Sequence, residues 1–158
     1  MKVDQIKMLI CDVDGVMTDG GMYIASDGSE MKRFNCRDGM AVAICRKSGI
    51  EFGIISAGHD PALVQARANQ LKIKHVSVSK RPKIEVLKEW LEALDLKPEQ
   101  IAYIGDDLTD MEVMQYVALG ACPADAAKQV KAIADLILEK NGGAGCVREL
   151  VDEYLVMS

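Results

Sequence analysis

Asp12 and Asp14 flank Val13 in the stretch LICDVDG, and Gly15 follows at once. Apolar residues lead into the pair as they do in a buried strand, and carboxylates are costly to bury without a partner. Strand alternation over residues 7–13 would set both carboxylates on one side, with Val13 facing away. Side by side they repel each other unless they share a proton or a cation. Taken alone, the pair also reads as a turn-forming Asp-Gly that ends a strand. A second cluster, Gly105-Asp106-Asp107-Leu108-Thr109-Asp110, again follows an apolar run directly. Helix capping and the helix dipole would account for one or two of its carboxylates, and poorly for three. Two acidic clusters at two strand ends make an oxygen-ligand site for a hard cation, with Mg²⁺ its natural occupant.

Between the clusters lie groups suited to an anion. Ser56 ends the apolar run FGIIS and precedes a helix, so its hydroxyl and the local amides, Ala57 among them, could hold a phosphate oxygen. A helix N-cap is the plainer role for such a serine. Lys83 opens an amphipathic helix after Lys80 and Arg81, where a solvated basic turn is the default. Arg37-Asp38-Gly39 reads as a helix start, with Arg37 a second candidate anion contact. His59 serves equally well as a surface or cap residue and as a substrate ligand. Each signal is weak alone. Their order (acid pair, hydroxyl, lysine, acid cluster) gives them weight.

These residues need a scaffold that brings distant segments to one edge. After the first strand, YIA and MKRF alternate around Ser26-Asp27-Gly28 and predict a β-hairpin. A helix is expected over 39–48, a core strand over 51–56, and a helix opened by Asp60-Pro61 that runs to about residue 71. HVSVS reads as a short strand, IEVLKEWLEALDL as an amphipathic helix, and IAYIG (101–105) as another buried strand. A short helix from about 109, a strand near 118–121, a helix from about 125, the strand DLILE, an NGGAG loop and a closing helix complete the pattern. Strands alternating with helices predict a parallel, three-layer, Rossmann-like α/β sheet over 1–158 as a single domain. Ligands of such sheets sit beyond the carboxyl ends of the strands, where the candidate residues fall.

Composition narrows the partners. The 158 residues are 49% hydrophobic and 27% charged, as in an ordinary soluble globular protein. Aromatics make up 4%, net charge is -5 and the pI is near 5.1, which argues against nucleic acid and anionic membranes. Five cysteines without CxxC spacing fit reduced thiols better than disulfides or zinc. The N-terminal MKVDQIKMLI lacks a signal-peptide core, and no run reaches the ~18 apolar residues of a membrane span. A cytoplasmic location is expected.

The order of motifs resembles the haloacid dehalogenase (HAD) superfamily of phosphotransferases. Asp12-Val13-Asp14-Gly15 matches its first motif, Ser56 its second, Lys83 its third, and Gly105-Asp106-Asp107 with Asp110 its fourth. DVDGVMTDGGMY, FNCRDGMAVA, AYIGDDLTDMEVM and NGGAGCVREL are similar, more narrowly, to the 3-deoxy-D-manno-octulosonate 8-phosphate (Kdo 8-phosphate) phosphatases. That family is a capless HAD-like branch acting in lipopolysaccharide biosynthesis. Spacing agrees: Ser56 follows Asp12 by 44 positions and Lys83 follows Ser56 by 27, too few for a separate lid. The resemblance implies a homotetramer whose neighbouring subunits complete each site through the hairpin and the chain terminus.

It also implies a Mg²⁺-dependent sugar-phosphate phosphatase in which Asp12 is the nucleophile and Asp14 the acid and base. Mg²⁺ would sit on Asp12, Asp106 and the backbone carbonyl of Asp14. Ser56 and Lys83 would bind the phosphate, Asp110 would orient Lys83 or a metal-bound water, Asp107 would stand nearby, and Arg37 would contact the substrate. The family usually has Thr-Gly-Arg at the second motif, a Gln-Gly pair and an Asp before the third-motif lysine, and Gly-Gly-Arg-Gly near the C-terminus. Here those places hold Ser56-Ala57-Gly58-His59, Ser77-Val78 with Pro82, and Ala144. Arginines suited to a substrate carboxylate are therefore missing. A nine-carbon 2-keto acid 9-phosphate or another small sugar phosphate stays open as substrate. A non-catalytic oligomerisation module is disfavoured by the retained Asp12, Asp14, Lys83 and Asp106, and a signalling receiver domain by the order of its acids.

Overall fold

Met8–Cys11 (β1) is wholly apolar and buried, which suits the centre of a parallel sheet covered on both faces. In the computed structural model, which describes residues 5–58 and 61–156, β1 is hydrogen-bonded on both sides. Its neighbours are Glu51–Ser56 (β4) and Ile101–Ile104 (β6), both parallel to it. His75–Val78 (β5) extends the sheet beyond β4. Leu119–Cys122 (β7) and the two-residue Leu136–Ile137 (β8) extend it beyond β6. The order across the sheet is β5-β4-β1-β6-β7-β8. Chain order reverses between β1 and β6, and in doubly wound sheets a ligand crevice opens at that point.

Helices cover both faces. Leu9 and Cys11 of β1 face one side and Met8 and Ile10 the other, as the strand period requires. The first side packs against Cys36–Lys47 (α1), Pro61–Leu71 (α2) and Cys146–Leu150 (α6) through Ala41, Val42, Val64, Val147 and Leu150. The second packs against Lys83–Ala93 (α3), Met111–Tyr116 (α4) and Lys128–Ile133 (α5) through Ile84, Leu87, Val113 and Val130. This is the expected three-layer α/β architecture. Among the described residues, the one insertion between β1 and α1 is the expected hairpin. Tyr23–Ile24 (β2) pairs antiparallel with Glu30–Met31 (β3) around an Ala25–Ser29 turn. No helix among the described residues is long and apolar enough to cross a membrane, and all five cysteines are unpaired.

Two expectations need correction. The first strand stops at Cys11 rather than running to residue 13, so strand alternation does not place Asp12 and Asp14. The chain instead enters a tight turn, with the Val16 and Thr18 N–H groups both donating to Val13 O. The first helix starts at Cys36 rather than 39, because Asn35 caps it by accepting from the Arg37 N–H at 2.8 Å. Asp60, expected to open α2, and His59 lie outside the described residues.

Candidate active site

The carboxyl ends of β1 and β6 bring the two acidic clusters together. The Asp12 N–H donates to Ile104 O at 3.0 Å, extending the β1–β6 ladder by one step and fixing the first aspartate at its end. Gly15 turns the chain back with φ +87, and a Cβ there would fall 2.0 Å from Asp106 Oδ2. Only glycine lets the β1 loop approach the Asp106 carboxylate so closely. Gly15→Ala is therefore expected to push Asp106 aside and to weaken divalent-cation binding at least about tenfold. The left-handed backbone adds a cost of about 1–2 kcal/mol. Calorimetric Mg²⁺ titration of the variant checks this, and unchanged binding would refute it.

Behind the carboxylates sits a buried network. Lys83 opens α3 with its ammonium buried between two acids, 3.0 Å from Asp12 Oδ2 and 2.6 Å from Asp110 Oδ1. The solvated basic turn is found next door instead. Arg81 pairs with Glu89 and Glu85, and Lys80 donates to Ala57 O at 2.7 Å. Asp110 Oδ1 also accepts from the Tyr103 hydroxyl at 2.6 Å, while its Oδ2 accepts from the Asp106 and Asp107 N–H groups at 3.1 Å each. Asp110 is thus fully occupied in holding Lys83 and the β6 loop. Asp107 is exposed and caps the short turn Leu108–Asp110.

The arrangement is electrostatically unbalanced. Oxygens of Asp12, Asp106 and Asp110 lie within 4.8 Å of one another. Burial, then the Asp110 charge, raises the Asp12 carboxyl to about 7, against the opposing pull of Lys83. Burial, then Asp12, Asp110 and Asp107, raises Asp106 to about 8. Burial also opposes the Lys83 charge, but Asp12 and Asp110 outweigh it and hold the ammonium above its usual range. Asp106 Oδ1 is buried with no hydrogen-bond partner among the described residues. One lysine does not balance three clustered carboxylates. A divalent cation between Asp12 and Asp106 would balance them and satisfy the orphan oxygen, so the residues present fit such an ion.

The remaining predicted residues divide by position. Ser56 is buried at the end of β4, and its Oγ accepts from the Gly58 N–H at 3.1 Å, curling the chain after the strand. A Cβ on Gly58 would meet Asp14 Oδ2 at 3.2 Å and Ser56 Oγ at 3.3 Å, so Asp14 and the Ser56 loop face one small space. Arg37 is exposed in the first turn of α1, outside the buried network. Its neighbour Asp38 is structural: buried, it accepts from the Arg148 N–H at 2.9 Å and ties α1 to α6. Sequence reasoning missed Tyr103, hidden in an apolar strand, and Lys32 of the hairpin, whose ammonium lies 2.5 Å from Asp14 Oδ1. A hairpin lysine carries no signal beyond alternation. A cavity of about 400 Å³ at the opposite end of the sheet, lined by Val42, Arg46, Phe52 and Lys72, contains none of these acids.

The C-terminal NGGAG loop closes the site from behind. The Gly143 N–H donates to Val16 O at 2.9 Å, and Asn35 Nδ2 donates to Gly143 O at 3.0 Å. Cβ atoms on Gly142 or Gly143 would collide with backbone of Gly15, Thr18 and Asp19. Buried Glu149 accepts from the Glu139 and Lys140 N–H groups and fixes the approach to that loop.

Comparison with known proteins identifies the family. The profile of the haloacid dehalogenase-like hydrolases matches residues 54–150. The 3-deoxy-D-manno-octulosonate 8-phosphate phosphatase of Yersinia pestis is 42% identical over 151 residues, 96% of this chain and 80% of that protein. The chain belongs to the Kdo 8-phosphate phosphatase family. A family structure from Moraxella catarrhalis, in complex with magnesium, phosphate and Kdo, superposes with a TM-score of 0.90. It is 34% identical, with 95% of this chain and 86% of that one covered. The cobalt-bound Haemophilus influenzae family member gives 0.91 at 32% identity, over 96% and 88%. The resemblance drawn from the motifs is borne out, and with it the capless HAD-like fold.

Proposed function

We propose that this chain is a Mg²⁺-dependent phosphomonoesterase that hydrolyses Kdo 8-phosphate to Kdo and phosphate through an aspartyl-phosphate on Asp12. The observation that carries this reading is the buried Asp12–Lys83–Asp110 network beside the unpartnered Asp106 oxygen, at the reversal point of the sheet. Membership of a family whose Yersinia pestis relative is named for this substrate supports the choice of sugar.

Asp12 attacks phosphorus in line as a carboxylate nucleophile. Asp14 protonates the departing sugar oxygen and then takes a proton from the hydrolytic water. Lys83, the Ser56 hydroxyl and the Ala57 amide meet the charge on the phosphoryl oxygens. Asp110 holds Lys83 in place, Asp107 caps the turn behind Asp106, and Arg37, exposed in the first turn of α1, is the candidate contact for the far end of the substrate. Asp12, Asp106 and the Asp14 backbone carbonyl would hold Mg²⁺, whose charge offsets repulsion between the nucleophile and the phosphate. A homotetramer fits the exposed hairpin residues Met22, Ile24 and Met31, because such apolar edges favour pairing between subunits. Reduced cysteines suit a cytoplasmic enzyme.

The test is phosphate release from Kdo 8-phosphate, a nine-carbon 2-keto acid 9-phosphate and simple sugar phosphates, with Mg²⁺ and with chelator. Preference for Kdo 8-phosphate that chelator abolishes is the expected result. Preference for another phosphate would keep the mechanism and move the substrate, and no release from any would overturn the reading.

Stability should report the cation separately. With Asp12 near 7 and Asp106 near 8, the metal-free folded state holds protons that the unfolded chain releases near 4. These two groups therefore contribute stability that is fully present below about pH 4 and is lost as pH rises through about 8. Mg²⁺ needs both carboxylates ionised, so its stabilisation grows across the same window. Thermal melts with chelator and with Mg²⁺, at about pH 5.5 and about pH 8.5, should show the larger Mg²⁺ gain at the higher pH. An equal gain at both would contradict a cation on these two aspartates.

A further inference from the structure

We infer that Lys32 is the residue that positions Asp14, anchoring one carboxylate oxygen so that the other can hand its proton to the departing alcohol. This rests on the phosphatase reading above. Asp14 sits in the turn after β1 and is 39% exposed, an insecure place for a group that must meet a substrate oxygen within hydrogen-bond reach. Among the described residues, Lys32 is the one side chain bonded to its carboxylate. The ammonium donates to Oδ1 at 2.5 Å across 18 positions of chain and is itself only 13% exposed. With its cation largely buried, the pair is screened less than one between two fully exposed groups.

The two oxygens of Asp14 face different surroundings. Oδ1 lies against Lys32, while Oδ2 lies toward Ser56 and Gly58, on the side proposed to receive phosphate. Lys32 is well placed to hold the acid because its own backbone is fixed. It follows β3 directly, and Phe34, two residues on, bridges to Thr18 in the same loop as Asp14. Asp19 ties the other arm by accepting from the Tyr23 hydroxyl at 2.8 Å and the Gly21 N–H at 2.9 Å. A cavity of about 160 Å³ opens beside the pair, lined by Asp14, Gly20, Tyr23, Glu30 and Lys32 among others. It offers room for the alcohol end of a substrate next to its proton donor.

In the step concerned, an Asp12 oxygen bonds to phosphorus as the bond from phosphorus to the sugar oxygen breaks. The electron pair of that bond passes to the sugar oxygen, which takes the proton from Asp14 Oδ2. Lys32 keeps its own protons throughout.

An ester whose leaving group departs without a proton does not need this help. The experiment compares kcat/KM, which reports the first phosphoryl transfer, for Kdo 8-phosphate, arabinose 5-phosphate and p-nitrophenyl phosphate. Wild type, Lys32→Met and Lys32→Arg are measured with Mg²⁺ present. The expected result is a loss of at least about tenfold on both sugar esters in Lys32→Met, with KM little changed. The aryl ester should fall by less than about threefold, and Lys32→Arg should recover most of the sugar-ester rate. An equal loss on all three esters would make Lys32 a structural tie of the hairpin and overturn the inference, as would no loss on any. A change confined to KM for Kdo 8-phosphate would also overturn it, making Lys32 a contact to the substrate carboxylate. Wild-type protein that cleaves none of the esters would instead sink the phosphatase reading, and this inference with it.

Discussion

Asp12→Asn is expected to lower phosphate release from Kdo 8-phosphate by on the order of 10⁴-fold or more, since it removes the proposed nucleophile. The fold should survive. Asparagine keeps an oxygen for the Val13 N–H, now 2.7 Å from Asp12 Oδ1, and Lys83 keeps Asp110 at 2.6 Å. The substitution also relieves repulsion, because Asp12 is the largest charge acting on Asp106 after burial itself. Metal-free Asp12→Asn should therefore melt no lower than metal-free wild type at about pH 9, where both carboxylates of the wild type are ionised. Release assays and melts on one preparation separate the two effects. Activity within tenfold of wild type would rule out Asp12 as nucleophile, whatever the melts show.

Asp110→Ala should produce the largest loss of stability. Four donors converge on that carboxylate: the Lys83 ammonium, the Tyr103 hydroxyl and the Asp106 and Asp107 amides. Breaking a buried ion pair by removing one partner costs about 3–5 kcal/mol. Denaturant unfolding should show a loss in that range, and phosphate release should collapse because Lys83 and the Asp106 loop lose their anchor. A paired change, Lys83→Met with Asp110→Leu, removes that ion pair but leaves Asp12 without its cation and three donors without their acceptor, so it should recover only part of the stability while the protein stays inactive. A loss below about 1 kcal/mol in Asp110→Ala would mean that the network is not what holds the loop.

Local signals made much of the fold legible. Glu51–Ser56 is a strand from end to end as expected, because its apolar run is bounded by Gly49 and Ala57-Gly58. The hairpin turned where Ser26-Asp27-Gly28 said it would, with Gly28 at positive φ. The first strand reads too long in the sequence because Val13 is apolar, although in the structure it is buried in a turn whose bonds run forward to Val16 and Thr18. Ser56, Lys83 and Asp106 were legible through their order along the chain, which topology converts into one crevice. Tyr103 was not, because a tyrosine in IAYI reads as core until its hydroxyl partner is known. Lys32 was not, because its partner lies across a hairpin rather than along an element.

The Gly142-Gly143 clasp has a consequence for the order of events in the cell. Cys146 Sγ and the Gly143 N–H both reach back to Val16 O, in the first case across 130 positions. Synthesis runs from the N-terminus, so the Asp12 loop leaves the ribosome well before the backbone that braces it. A nascent chain thus displays Asp12 and Asp14 before their loop has its final support. Contacts this distant in sequence form late and together. Competence for phosphoryl transfer should therefore arrive in a single step once residues 142–146 can dock on the Asp12 loop, rather than building up as each motif emerges.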